Sequence, residues 1–425
     1  MNDNNLSSRK IEADYKRAKE IYSSIGVDTE KAIQKLLKIK ISMHCWQGDD
    51  VGGFEVKKGS LDGGLVATGN YPGKARNADE LRQDAEKAFS LIPGKHKFNL
   101  HAIYLESDGK FIERNEISPE NFKNWISWAK SNDLGLDFNG TFFSHPKASS
   151  GFTLSNKDKS IRNFWIEHAK RAREISAKFA KELSQISVCN LWIPDGAKDY
   201  PADRLSPRKR LMESLDEIFQ KKAAKNVKDT VEGKLFGIGS EEYVVGSNDF
   251  YIAYAISRKI TPCMDMGHYH PTEAVYDKIS ALSNFVENIL IHVSRPIRWD
   301  SDHVVIFNDD LANLAREIVR AKMLDRIYFA TDFFDASINR IGAWIIGVRS
   351  LQKALLAALL EPVELLNQFE DQKRNAEKLA LVEEMKTMPL GAVWNYFCEL
   401  NNVPPSTLWI PEIKKYEEKV LSLRN

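Results

Sequence analysis

The chain has 425 residues, 43% of them hydrophobic, and 60 Lys and Arg against 59 Asp and Glu, for a formal charge of +1. That length exceeds one ordinary compact core, and the near-zero charge provides no long-range field to draw nucleic acid or an anionic membrane. No basic and then apolar leader opens the chain, no apolar stretch approaches the ~20 residues of a membrane span, and Cys45, Cys189, Cys263 and Cys398 read as reduced, packed thiols, so a cytoplasmic location is expected.

The first forty residues are predicted helical. Ser7 or Ser8 caps a polar helix running to about residue 25, and Asp28 or Thr29 caps a second whose Ala32, Ile33, Leu36 and Leu37 share one face. A strand-like run follows at 39–46, then a polar, glycine-rich loop over 47–65 that could close over a site as a lid. Further apolar runs recur at 98–104, 134–138, 186–192, around 231–235, and at 261–266, 289–293 and 327–332. Helical patterns at 78–92, 120–131, 161–182, 208–222 and 309–322 lie between most of them. The basic run at 221–225 reads as a solvated helix face. Eight alternating strand and helix units predict an α/β fold, a closed (β/α)8 TIM barrel. From about residue 336 the pattern is helical to the end, including 353–366, 374–386 and 412–423. The expected division is a barrel over 1–340 and a C-terminal all-helical extension over 341–425, which either pads the barrel or carries oligomer contacts.

Carboxylates and histidines gather at the ends of the later strands. Side chains at the C-terminal strand ends of a barrel converge on one mouth. Glu232, Asp265, His292 and Asp332 come from strands five to eight and can surround one divalent ion. His268, with Asp300 and Asp302 on the loop after strand seven, can hold a second, and Asp265 is expected to bridge the two. Oxygen and imidazole ligands without thiolate suit Mn2+, Co2+ or Mg2+, and Zn2+ is also admitted. Without ions, five carboxylates would repel one another with only Lys234 to offset them.

The order Glu232-x-Lys234, Asp265-x-x-His268, His292, Asp300-x-Asp302, Asp332 resembles the xylose isomerase superfamily of barrel sugar isomerases, and within it the L-rhamnose isomerases. The segments SMHCWQGDD at 42–50, ATGNYPGKAR at 67–76, LWIPDG at 191–196, HVSRP at 292–296, WDSDH at 299–303 and DFFDASINR at 332–340 carry the resemblance, which covers essentially the whole chain. Asp265 and His292 stand where xylose isomerases have Glu and Asp, as the rhamnose branch does. The resemblance implies a metal-dependent aldose–ketose isomerase that converts L-rhamnose to L-rhamnulose, the first step of L-rhamnose catabolism. It implies Mn2+ or a similar ion, two per subunit: a structural one on Glu232, Asp265, His292 and Asp332, and a catalytic one on His268, Asp300 and Asp302. It also implies a homotetramer.

Hydrogen must pass between C1 and C2 of the open sugar, by an enediol or as hydride. A hydride shift needs Lewis acids and a proton shuttle but no strong carbon base, and is the expected route. Lys234 is placed to donate to O1, and Asp332 to orient or accept the shuttled proton. His101, at the end of strand two, is the expected acid/base for ring opening. Trp46, Trp192 and Phe334 are expected to pack on apolar sugar faces, including the C6 methyl. Alternatives within the class are other 6-deoxy or rare aldoses. A two-metal phosphoesterase or nuclease would want a basic face and more histidine. A non-catalytic sugar binder would not need two metal sites and a lysine.

Overall fold

The structure, a computed structural model, describes residues 7–48, 51–56, 71–237, 239–297, 302–335 and 337–424. Eight parallel strands close into a barrel: β1 Ile41–His44, β2 Lys97–His101, β3 Gly135–Asn139, β4 Ser187–Trp192, β5 Val227–Glu232, β6 Thr261–Asp265, β7 Ile289–Val293 and β8 Ile327–Thr331. Each pairs with its sequence neighbours, and β1 closes on β8 through Ile41–Phe329 and Ser42–Ala330. Nearly every strand residue is buried, because helices cover the outside while side chains fill the inside. Strand β5 begins four residues before its expected apolar run, because Lys228 and Asp229 interrupt the pattern. Asp229 is nonetheless buried, paired to Arg173 at 2.8 Å.

Around the barrel run α1 Ser8–Ser23, α2 Thr29–Lys38, α3 Ala78–Phe89, α4 Lys123–Ser131, α5 Lys159–Leu183, α6 Leu205–Phe219, α7 Asn248–Arg258, α8 Val275–Ser283 and α9 Asp309–Arg320. Their starts are chemically marked. Asp28 accepts from the Glu30 and Lys31 amides, Asn77 from Glu80, Asp158 from Ser160 and Asn308 from Leu311, each satisfying an amide that the helix leaves unpaired. The predicted helix at 120–131 opens as a 3-10 turn over Pro119–Phe122. Residues 221–225 follow the end of α6, so that exposed basic run is a turn and not a helix face.

The next helix, α10 Arg340–Leu359, packs against α9, α2 and α3, so the ring of barrel helices runs past the expected division at 340/341. It is 20 residues long and apolar enough to cross a membrane by composition, contrary to the expectation that no stretch approaches that length. It is instead a core helix, 83% buried, apolar all round because it is covered on all sides. Its buried arginines donate to carbonyls. Arg340 donates to the Tyr71 and Gln47 oxygens, and Arg349 to those of Leu91 and Pro404. The helix predicted over 353–366 breaks where Pro362 cannot continue it, and α11 Val363–Asp371 starts afresh. Helices α12 Asn375–Glu384, α13 Leu390–Leu400 and α14 Ile410–Lys419 complete the chain, and α1 lies on α13 with Tyr15 stacked on Tyr396 at 3.8 Å. All four cysteines are free and buried.

Candidate metal centre

Residues from four consecutive strand ends meet at the barrel mouth. Ligand atoms of Glu232, Asp265, His292 and Asp332 all lie within 4.8 Å of one another. His292 Nδ1 is 3.3 Å from Glu232 Oε2, 3.5 Å from Asp265 Oδ2 and 3.1 Å from Asp332 Oδ2. One N–H cannot serve three oxygens. Both ring nitrogens of His292, with Asp265 Oδ2 and Asp332 Oδ1, are buried without a hydrogen-bond partner. Orphaned buried polar atoms are costly. Three carboxylate oxygens 3.1–3.5 Å from one imidazole nitrogen are an arrangement that a cation among them would satisfy. The donor set therefore fits a hard divalent ion.

The strands explain this convergence. Glu232 and Asp265 end β5 and β6, His292 lies one residue before the end of β7, and Asp332 directly follows β8. Pairing sets Asp265 opposite His292, and the Asp332 amide donates to the Val293 carbonyl at 3.1 Å. Supporting groups hold the carboxylates. Asn190 Nδ2 donates to Glu232 Oε2 at 2.5 Å while its own oxygen accepts from Thr230 at 2.7 Å. The Gly267 amide donates to Asp265 Oδ1 at 2.6 Å. Sequence reasoning missed Asn190, although it lies two residues before Trp192 and so on the same strand face. It also missed Cys263, whose thiol forms a second close group with Glu232 and His292.

Burial lowers the His292 pKa, but Cys263, Glu232, Asp265 and Asp332 around it override that and hold it well above the ordinary value. Burial pushes Asp332 up to about 6. Burial opposes ionisation of Glu232 too, but His292 and His268 hold its pKa below the usual range. A cation competing for these atoms must displace protons, so its hold weakens in acid.

His268 stands beside this group and not within it. Its Nδ1 is 3.0 Å from the Gly233 carbonyl and 3.2 Å from Glu232 Oε1. Glu232 thus presents one oxygen to His292 and the other to His268. Asp300 lies outside the described residues, and only the backbone of Asp302 is described, in a short ladder of Asp302–His303 with Arg295–Pro296.

Aromatic rings form an arc beside the carboxylates. Trp46 is stacked on Phe334 at 5.4 Å, and His101 meets Trp46 edge-on at 5.4 Å. Phe143, absent from the expected set, sits between His101 at 5.9 Å and Trp192 at 5.7 Å. Trp192 faces His268 at 6.1 Å, carries the Lys234 ammonium at 4.7 Å, and keeps a buried indole N–H without a partner. Burial pushes His101 down to about 3, so the ring is neutral near pH 7. Of the expected lid, residues 49–50 and 57–65 lie outside the described residues. The described part is anchored: the Phe54 and Glu55 amides donate to the Ile103 carbonyl at 2.7 and 3.1 Å, and Arg114 pairs with Glu55 at 2.7 Å.

The family described as L-rhamnose isomerase (RhaA) matches residues 9–424. An L-rhamnose isomerase of Mannheimia succiniciproducens is 55% identical over 415 residues, 97% of this chain and 99% of that protein. One of Listeria monocytogenes is 55% identical over 416 residues, 98% of this chain and 99% of that protein. Among solved structures, a 3-keto-D-glucoside 4-epimerase from E. coli aligns with a TM-score of 0.47 and 11% identity, over 74% of this chain and 99% of that one.

Proposed function

The chain belongs to the L-rhamnose isomerase family and is an aldose–ketose isomerase, and we propose that it opens L-rhamnose and moves hydrogen from C2 to C1 as hydride to form L-rhamnulose. The observation that carries the metal-dependent part is the convergence of Glu232, Asp265, His292 and Asp332 within 4.8 Å, with buried ligand atoms lacking hydrogen-bond partners. These four would hold one divalent cation. His268, Asp300 and Asp302 would hold the other. The cations, when bound, supply Lewis acidity at the sugar's O1 and O2.

The protein's own groups do the rest. His101 takes the O1 proton as the C1–O5 bond breaks and returns it to O5, leaving an aldehyde at C1. Trp46, Phe334 and Trp192 cover apolar sugar faces and exclude water. Lys234 donates to O1 as negative charge develops there, and Asp332 orients or accepts the proton passing between O1 and O2. Mn2+ is the proposed ion, with Co2+, Mg2+ and Zn2+ chemically admitted. We place the enzyme in the cytoplasm, at the first step of L-rhamnose catabolism, as a homotetramer, with the helices beyond the barrel in subunit contacts.

The test is to strip metal, restore Mn2+, and follow ketose formation from L-rhamnose beside L-fucose, L-mannose and D-xylose. Activity should vanish and return with metal, and L-rhamnose should have the highest kcat/KM. Metal-independent turnover, or preference for another aldose, would refute the reading. In D2O, little solvent deuterium should reach C1 of the ketose, and extensive incorporation would favour the enediol route.

A further inference from the structure

Directly behind His101 lies a hydrogen-bonded chain that the reaction chemistry leaves unexplained. His101 Nδ1 is 2.9 Å from the hydroxyl of Thr141, its ring's protein hydrogen-bond partner among the described residues. Thr141 is fully buried, just past the end of β3. Its backbone amide donates to Nε2 of His168 at 2.9 Å, and His168 Nδ1 is 2.9 Å from the Arg114 carbonyl. An amide N–H only donates and a carbonyl only accepts. His168 must therefore accept at Nε2 and carry its proton on Nδ1. That is a neutral ring, as its complete burial also requires, with its pKa pushed down to about 3.

The same segment is braced from the other side. The Arg114 guanidinium donates to the carbonyls of Thr141 at 3.0 Å and Ser144 at 2.9 Å, and to Phe143 between them. Its remaining N–H groups reach Glu55 of the loop after β1. The Thr141 backbone is thus held at its N–H and at its C=O by two fully or almost fully buried side chains, which fixes where its hydroxyl points.

We propose that Thr141 is a positioning residue for ring opening, holding His101 with its Nδ1 proton on the hydroxyl and its Nε2 lone pair free for the sugar, and that His168 and Arg114 set Thr141 in that place. This rests on the acid/base role of His101 proposed above. Nδ1 keeps its proton both when the ring is neutral and when it has taken the O1 proton. The bond to Thr141 therefore survives the transfer. A hydroxyl carries no charge. It orients the ring without stabilising imidazolium as a carboxylate would, and so leaves His101 ready to give the proton up to O5.

The experiment compares Thr141→Val, Thr141→Ser and His101→Asn in the metal-loaded enzyme, each supplied with a freshly dissolved single anomer of L-rhamnose. Thr141→Val should lower kcat about tenfold or more while KM and melting temperature stay near wild type. Its rate should cease to rise with enzyme concentration once spontaneous ring opening limits it. Thr141→Ser, which keeps the hydroxyl, should recover most of the rate. If His101→Asn collapses but Thr141→Val turns over like wild type, the positioning role is wrong and the His101 reading stands. A His101→Asn enzyme that is unimpaired removes the reading itself. Failure of Thr141→Ser to recover the rate reduces Thr141 to a packing role. Should Thr141→Val not fold, Thr141→Ala takes its place under the same outcomes.

Discussion

Asn190 shows how much of this site is carried by a residue with no chemistry of its own. Its amide donates to Glu232 and its oxygen accepts from Thr230, so the carboxylate between His292 and His268 is aimed before any ion arrives. Groups that orient ligands in this way are typically worth ~10–100-fold in metal affinity. Asn190→Ala should weaken metal binding by that order, read by competition against a chromophoric chelator, with the fold retained. Unchanged affinity would show that Glu232 is aimed by its strand alone. The liganding types were legible in the sequence because carboxylates and histidines recur in order at consecutive strand ends, although any one of them alone reads as a cap or an ion-pair partner. Asn190, Thr141 and Phe143 were not, because asparagine, threonine and phenylalanine occur throughout any barrel and only contact with a neighbouring strand or ring distinguishes them.

At the scale of elements, the eight strands could be read because burial on both faces demands continuous apolar runs, as in Ile289–Val293. Helices α7 and α8 were not drawn, since apolar and polar residues mix in them without a clean stripe. The loop after β1 depends on Gly53, which has φ +62°; a Cβ there would lie 2.3 Å from the Ile103 carbonyl oxygen. Gly53→Ala should displace the segment tied to Ile103 and lower kcat/KM, with little change in melting temperature because the loop lies outside the barrel core. Equal kcat/KM would mean that this anchor does not order the mouth.

The start of β1 is fastened by His96, whose Nδ1 accepts from the Ile41 amide at 3.3 Å while Nε2 faces the Pro93 carbonyl at 2.9 Å. Burial pushes its pKa down to about 4 from the ordinary 6.5, so the folded ring is neutral where the unfolded one takes a proton. Its contribution is full above pH 6.5 and is lost as pH falls from there to about 4, amounting to at most about 3 kcal/mol. With metal removed from both proteins, His96→Gln should lose less stability than wild type between pH 7 and 5, measured by denaturant melts. Parallel curves would exclude His96 as a contributor.

Across the whole molecule, the far end of the chain is locked to the loop that carries Trp46. Asp84 of α3 is fully buried and accepts from Gln47 at 2.6 Å, Tyr416 at 2.7 Å and Arg424 at 2.6 Å. Asp84→Ala would leave the buried Arg424 guanidinium with Glu80 at 3.7 Å as its remaining carboxylate neighbour and the Gln47 amide and Tyr416 hydroxyl without their acceptor, and should destabilise the fold by about 1–3 kcal/mol, with kcat falling as Gln47 loosens. A loss below about 1 kcal/mol would mean that water replaces the carboxylate. Chelation at neutral pH should lower the melting temperature, since the mouth's carboxylates then face one another without cations, and the difference should shrink toward pH 5 as protons replace them. No shift on chelation would deny that these groups bind an ion. The sequence alone determined the strand count, the closed parallel barrel and the residue types at its rim, because periodicity and end position are local properties of a chain. Tertiary structure decided that Glu232 lies between the two histidines, that α10 is core although it is long enough for a membrane, and that Thr141 backs His101. Each of those depends on which strand or helix lies alongside, and adjacency exists only once the barrel has closed.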